Sequence, residues 1–267
     1  FKFTENALVC RDLSPNEERA LDVRLDREAF HDYRLHRPTT ILVPVVQLIL
    51  AVKEVRRQSD ELNISLMTGP VSGLLTLQVE RGSDNPDPVE IAVIEKEDRG
   101  LTVSDFNDDF SVVMSSSKLR KFVEGIHLYG DGDGGVELSI VQHREKQCLS
   151  LLSRAIKRPW RWPLKKASIL IPEYKSNDKD SVKINVANEN VSMRYVTQDL
   201  DKFLGKAYTL AAFTKLRVHD QHPLLIECLI PLTQRRGSAN VGHLHYYLTP
   251  DAREIDTVEP RQTNIWS

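Results

Sequence analysis

Cysteine is scarce in this 267-residue chain, with three copies at Cys10, Cys148 and Cys228. An odd number so widely scattered excludes a disulfide framework and offers no CxxC knuckle for zinc, and a reducing intracellular compartment is the expectation. Long hydrophobic runs are missing too: none approaches the roughly 18 residues of a membrane helix. Charge of one sign is also lacking, since 36 Lys and Arg against 38 Asp and Glu leave a net charge of −2. Any nucleic-acid contact therefore depends on how charge is distributed and not on a basic balance. The first residues, Phe1-Lys2-Phe3-Thr4, contain no basic region, apolar core or cleavage site of a signal peptide. They also lack an initiator Met, which raises the expectation of a processed, trimmed or incomplete chain. GxSxG, Walker A and HExxH are absent, so nothing supports catalysis, and no cofactor is expected.

Some fragments imitate sites. Asp131-Gly132-Asp133-Gly134-Gly135 invites a calcium reading, but the remaining ligands and the closing glutamate of an EF-hand loop are missing. His219-x-x-His222 and His243-x-His245 bring imidazoles without a third ligand at readable spacing, and strands or turns explain both pairs. No metal is expected.

What is present is an ordinary globular composition, 40% apolar and 28% charged, at a length that suits two domains. Three times the chain runs helix, strand, turn, strand. The first copy places a helix near Pro44 to Glu54, with Val45, Leu48, Ile49 and Val52 on one face, then strands near 62–67 and 74–79. In the second, serines 115 to 117 cap a helix with a buried stripe of Leu119, Phe122, Val123 and Ile126, then strands near 136–141 and 148–152. The third starts at Thr197 as N-cap and buries Leu200, Phe203, Leu204 and Ala207, with strands near 215–218 and 224–229. Period-two patterning predicts further strands at 20–25, 30–35, 89–94, 111–114, 168–171 and 182–186, and a last one ending in Gly242-His243-Leu244-His245-Tyr246-Tyr247-Leu248-Thr249-Pro250. Strands outnumber helices, which predicts an α+β fold of antiparallel sheets with helices on one face.

Several segments, in this order and spacing, are similar to those of one family. They are Phe30-His31-Asp32-Tyr33-Arg34, Leu101-Thr102-Val103-Ser104-Asp105-Phe106, His222-Pro223-Leu224-Leu225-Ile226-Glu227 and Gly242 to Pro250. Over nearly the whole chain they resemble the eukaryotic and archaeal DNA sliding clamp family, proliferating cell nuclear antigen. The resemblance implies an N-terminal clamp domain over 1–95, an interdomain connecting loop over 96–109, a C-terminal clamp domain over 110–250 and a polar tail over 251–267. It also implies that the family's first strand and first helix are absent here. By the same resemblance the protein is a nuclear, homotrimeric ring around double-stranded DNA. It serves as a polymerase processivity factor and docking platform, and a clamp loader opens it.

A sliding ring holds phosphates without reading bases, and this needs basic residues on the outer faces of its inner helices. Lys118, Arg120 and Lys121 on the second helix, Lys202 and Lys206 on the third, and Lys53, Arg56 and Arg57 at the end of the first have suitable placement. Lysines on exposed helical faces are also common in any soluble protein. The first helix is the weakest of the three, with Leu50 where a basic residue would help. By positional match, the family's pocket for short aromatic-anchored peptides would use Leu13, Ala20, Leu101, Val103, Pro223, Tyr247, Thr249 and Pro250. Glu17 and Glu18 depart from the family's pattern there. Subunits would join through edge strands at 89–94 and 168–171, represented by Ile91, Val93, Ile169 and Ile171. Two other readings stay open: a subunit of the heterotrimeric checkpoint clamp, and a single-strand nucleic-acid-binding module using the basic loop around Trp160 and Trp162.

Overall fold

The computed structural model describes residues 1–16, 18–56, 60–69, 72–81, 85–97, 108–129, 135–154, 168–174, 181–188, 191–220, 222–231 and 239–251. Within them the chain is α+β, with mostly antiparallel strands and three α-helices. It divides into two compact units: Phe1–Cys10 with Phe30–Val103, and Arg11–Ala29 with Ser104–Ser267.

The first unit holds β1 (Lys2–Thr4), the first half of β2 (Ala7–Leu13), β4 (Thr39–Leu42), α1 (Val45–Val52), β5 (Glu61–Thr68), β6 (Gly73–Glu80) and β7 (Val89–Glu95). Its strands lie in the order β2, β1, β4, β7, β6, β5. Alternation along β6 and β7 sends Leu75, Leu77, Ile91 and Val93 into one core with Phe3, Leu8, Ile41 and Ala51. Fully burying side chains of this size contributes about 1.5–3 kcal/mol each.

The second unit has two sheets. One runs in the order β12 (Val182–Val186), β8 (Phe110–Ser115), β14 (Phe213–Val218), β15 (Leu224–Pro231), β16 (Asn240–Leu248), β3 (Arg19–Asp26). The other runs β11 (Ser168–Pro172), β10 (Lys146–Arg154), β9 (Gly135–His143), β13 (Ser192–Val196). Helices α2 (Ser116–Tyr129) and α3 (Thr197–Ala207) pack against each other, and their stripes enter the core through Leu119, Val123, Ile126, Leu200, Leu204 and Ala207. The recurring unit is larger than the sequence pattern implies: α1 and α3 each follow one strand and precede three, and α2 precedes four before the strand that leads into α3.

Residues 11–29 group with the second unit because β3 pairs along its length with β16, from Arg19 opposite Leu248 to Leu25 opposite Gly242. A domain boundary at residue 95 does not anticipate this placement. At Gly242 the backbone carbonyl of Arg24 occupies the space that a Cβ would need, so the two strands approach closely only because this residue is glycine.

Four expectations need correction. The segment 30–35 is not a strand: a single 3₁₀ turn at Arg27–Ala29 leads into bends. There the Phe30 and Tyr33 rings lie 5.2 Å apart, and the Tyr33 hydroxyl reaches the carbonyls of Thr4 and Ala7 at 2.8 and 3.0 Å. The aromatics that imitate strand alternation in fact fasten the β1–β2 hairpin. On α1, Val45, Ile49 and Val52 are exposed, Leu48 is half-buried and Ala51 alone is buried, because no second helix among the described residues covers it. Thr197 is the first helical residue of α3, the cap position falls on Val196, and no side chain caps it. The serine hydroxyls at the start of α2 bond side chains: Ser115 with Ser117 at 2.9 Å, and buried Ser116 with Thr214 at 2.8 Å. Strands β2, β4 and β13 are additions to the sequence reading.

Candidate functional site

The basic residues divide by helix. On the second unit Lys121, Lys202 and Lys206 are exposed opposite the buried stripes, while Lys118 and Arg120 are half-buried. The Arg120 guanidinium lies over the Tyr208 ring, 4.3 Å from its centroid, a cation–π contact that orients it along the helix surface. In the first unit Lys53 ends α1 and is exposed, whereas Arg56 bonds Glu54 at 3.2 Å. Arg57 lies outside the described residues.

Of the residues expected to form the partner pocket, Ala20 and Tyr247 lie opposite each other on one face of the second unit. Residues directly opposite in an antiparallel pair share a face, so β15, β16 and β3 present three rows. Leu225, Tyr247 and Ala20 form one, Glu227, His245 and Asp22 the next, and Leu229, His243 and Arg24 the third. In the first row Leu225 and Ala20 are buried and Tyr247 between them is half-buried. The amide of Thr249 donates to the Glu18 carbonyl at 2.9 Å and its hydroxyl does so at 3.2 Å, which fixes the chain just past β16 and sets Pro250. Pro223 enters β15, and Leu13 is exposed at the end of β2. Leu101, Val103 and Glu17 lie outside the described residues. The sequence reading missed Leu225 and exposed Leu229 as parts of this face; the period-two alternation of β15 was the available signal.

Charge frames the face. Arg217 donates to Asp108 at 2.7 Å and to Glu227 at 3.2 Å, and Arg11 donates to Asp22 at 3.1 Å. The His243 and His245 rings stack at 4.3 Å, and His245 Nε2 lies 3.6 Å from Glu227 Oε1. Burial pushes the His245 pKa down, helped by neighbouring His243 and opposed by Glu227 and Asp22. Burial pushes the Tyr247 hydroxyl up, with Asp22 and Glu227 adding to it. Tyr246, on the opposite face, stacks on Phe203 at 4.3 Å, and burial together with Asp199 pushes it up to about 12.

Ile91, Val93, Ile169 and Ile171 are all buried within their own units. A strand edge at these positions therefore offers backbone groups and the outward residues, such as Ile94 and Leu170. Among the described residues, Val89–Val93 of β7 bonds only β6 on one side, and β4 reaches only Ile94 and Glu95. β11 bonds β10, and past it only the Tyr174–Val182 bridge is found. Each strand thus has a largely open edge among the described residues.

The His219 and His222 rings lie 4.5 Å apart and tilted by 57°, and His219 Nδ1 lies 3.2 Å from Asp109. No three metal-ligating side chains cluster among the described residues, and no helix among them is long and apolar enough to cross a membrane. Residues 131–134 and the 157–166 loop with Trp160 and Trp162 lie outside the described residues. No family model and no curated protein sequence matches the chain.

Proposed function

We propose that this chain is a subunit of a DNA sliding clamp, a homotrimeric ring that encircles duplex DNA, tethers polymerase and other partners, and does no chemistry itself. The observation that carries the reading is the α2–α3 pair, whose inner stripes are core and whose outer faces carry Lys121, Lys202 and Lys206. Such a surface attracts phosphates without reading sequence. The open edges of β7 and β11 support head-to-tail joining, which closes a ring when the rotation between subunits permits. The Leu225–Tyr247–Ala20 row, with Pro223 and Leu13, supports the docking of short peptides with aromatic anchors. Tethering raises the effective concentration of a weakly held polymerase. A clamp loader would open the ring, and a nuclear location follows from the role. Native mass measurement at micromolar concentration tests the assembly. Three times the 30.5 kDa subunit is expected, and a monomer at all concentrations contradicts it.

A further inference from the structure

Helices α1 and α3 occupy equivalent places in the recurring unit, each preceded by one strand and followed by three. Both start after an extended residue without a side-chain cap, Pro44 at φ −62°, ψ 113° and Val196 at φ −67°, ψ 116°. Counted from those residues, Gln198, Lys202 and Lys206 of α3 correspond to Val46, Leu50 and Glu54. The row is exposed on α3. On α1 the first two positions are more than half exposed, Val46 at 71% and Leu50 at 59%. The third, Glu54, lies just past the helix, 3.2 Å from Arg56 and 3.8 Å from Arg81. One row therefore carries two cations, and its counterpart carries two aliphatic groups and an anion that engages the nearest arginines.

We infer that, among the described helices, α2 and α3 supply the grip on duplex phosphates and the outward row of α1 adds nothing to it. This rests on the clamp reading. Counterion release gives the consequence a number, because each phosphate contact adds about 0.9 to the slope of log affinity against log salt. The exposed cations of the second unit should set that slope. Lys53 and Arg56 should add little.

The test is binding of the full chain to a fluorescent random-sequence duplex across a salt series, with thermal melts to confirm folding. In K121Q/K202Q/K206Q the slope should fall by roughly 2–3 units, while K53Q/R56Q leaves it unchanged. V46K/L50K should raise the slope by up to about 2 units, since it rebuilds on α1 the charge of the α3 row. The inference is overturned if K53Q/R56Q lowers the slope as much as the triple variant, or if V46K/L50K produces no gain. Absence of salt-dependent duplex binding by the unaltered chain would instead remove the clamp reading itself.

Discussion

His245 lies in the middle of a cross-strand row between Glu227 and Asp22, beside His243 and Tyr247 and near Arg217. Its pKa is lowered chiefly by burial, so the folded protein holds fewer protons at this site than the unfolded chain does. Stability at this residue is complete above the ordinary histidine value of about 6.5 and is lost as pH falls through that value toward the lowered one. Thermal melts should therefore show a fall in Tm between about pH 7 and pH 5 that is smaller in His245→Gln; equal falls in both proteins would contradict this. Arg194 and Asp251 are more deeply buried, with side chains 6% and 3% exposed and 3.2 Å apart. The Asp251 amide also donates to the Arg194 carbonyl at 2.8 Å, so the residue just past β16 is fastened to β13. Asp251→Ala leaves a buried guanidinium without its carboxylate, a change that costs about 3–5 kcal/mol and that denaturant midpoints would reveal.

Among the elements, α1 and α3 differ in what covers them. Leu204→Ala should cost about 2–5 kcal/mol of unfolding free energy, as buried leucines do, whereas Leu50→Ala on exposed α1 should cost under about 0.5 kcal/mol. A similar cost at both sites would mean that α1 is covered. The β9–β10 hairpin turns on Arg144 and Glu145, both at positive φ (47° and 65°), between paired His143 and Lys146. Two-residue turns of this kind favour Asn-Gly, so Arg144→Asn with Glu145→Gly should raise stability by about 1 kcal/mol in equilibrium unfolding.

The helical stripes of α2 and α3 were legible in the sequence because the 3.6-residue period reports which residues share a face. The same period in α1 says nothing about whether another element meets that face, which is why Val45 and Ile49 read as core and are exposed. Phe30 and Tyr33 misled for a related reason: alternation looks alike in a strand and in a loop whose rings clasp a neighbouring hairpin. On the face of β15, β16 and β3, Tyr247 and Ala20 were named from the sequence by resemblance, and the structure sets them opposite each other. Leu225 was not named, because only the register of β15 against β16 brings it beside Tyr247. Strand β2 was hidden because its second half, Cys10-Arg11-Asp12, lacks apolar alternation.

For the whole molecule, a formal charge of −2 rules out a general attraction to DNA, so the proposed hold depends on local lysines and on topology. A ring is held by linkage more than by affinity. It slides freely, remains on a closed circle and is lost from a free end. The most direct measurement loads the protein onto nicked circular plasmid, at concentrations high enough for rings to open unaided, and follows retention through gel filtration before and after one restriction cut. The account predicts retention on the circle and loss on linearisation. Equal retention on circular and linear DNA, or none on either, would contradict it.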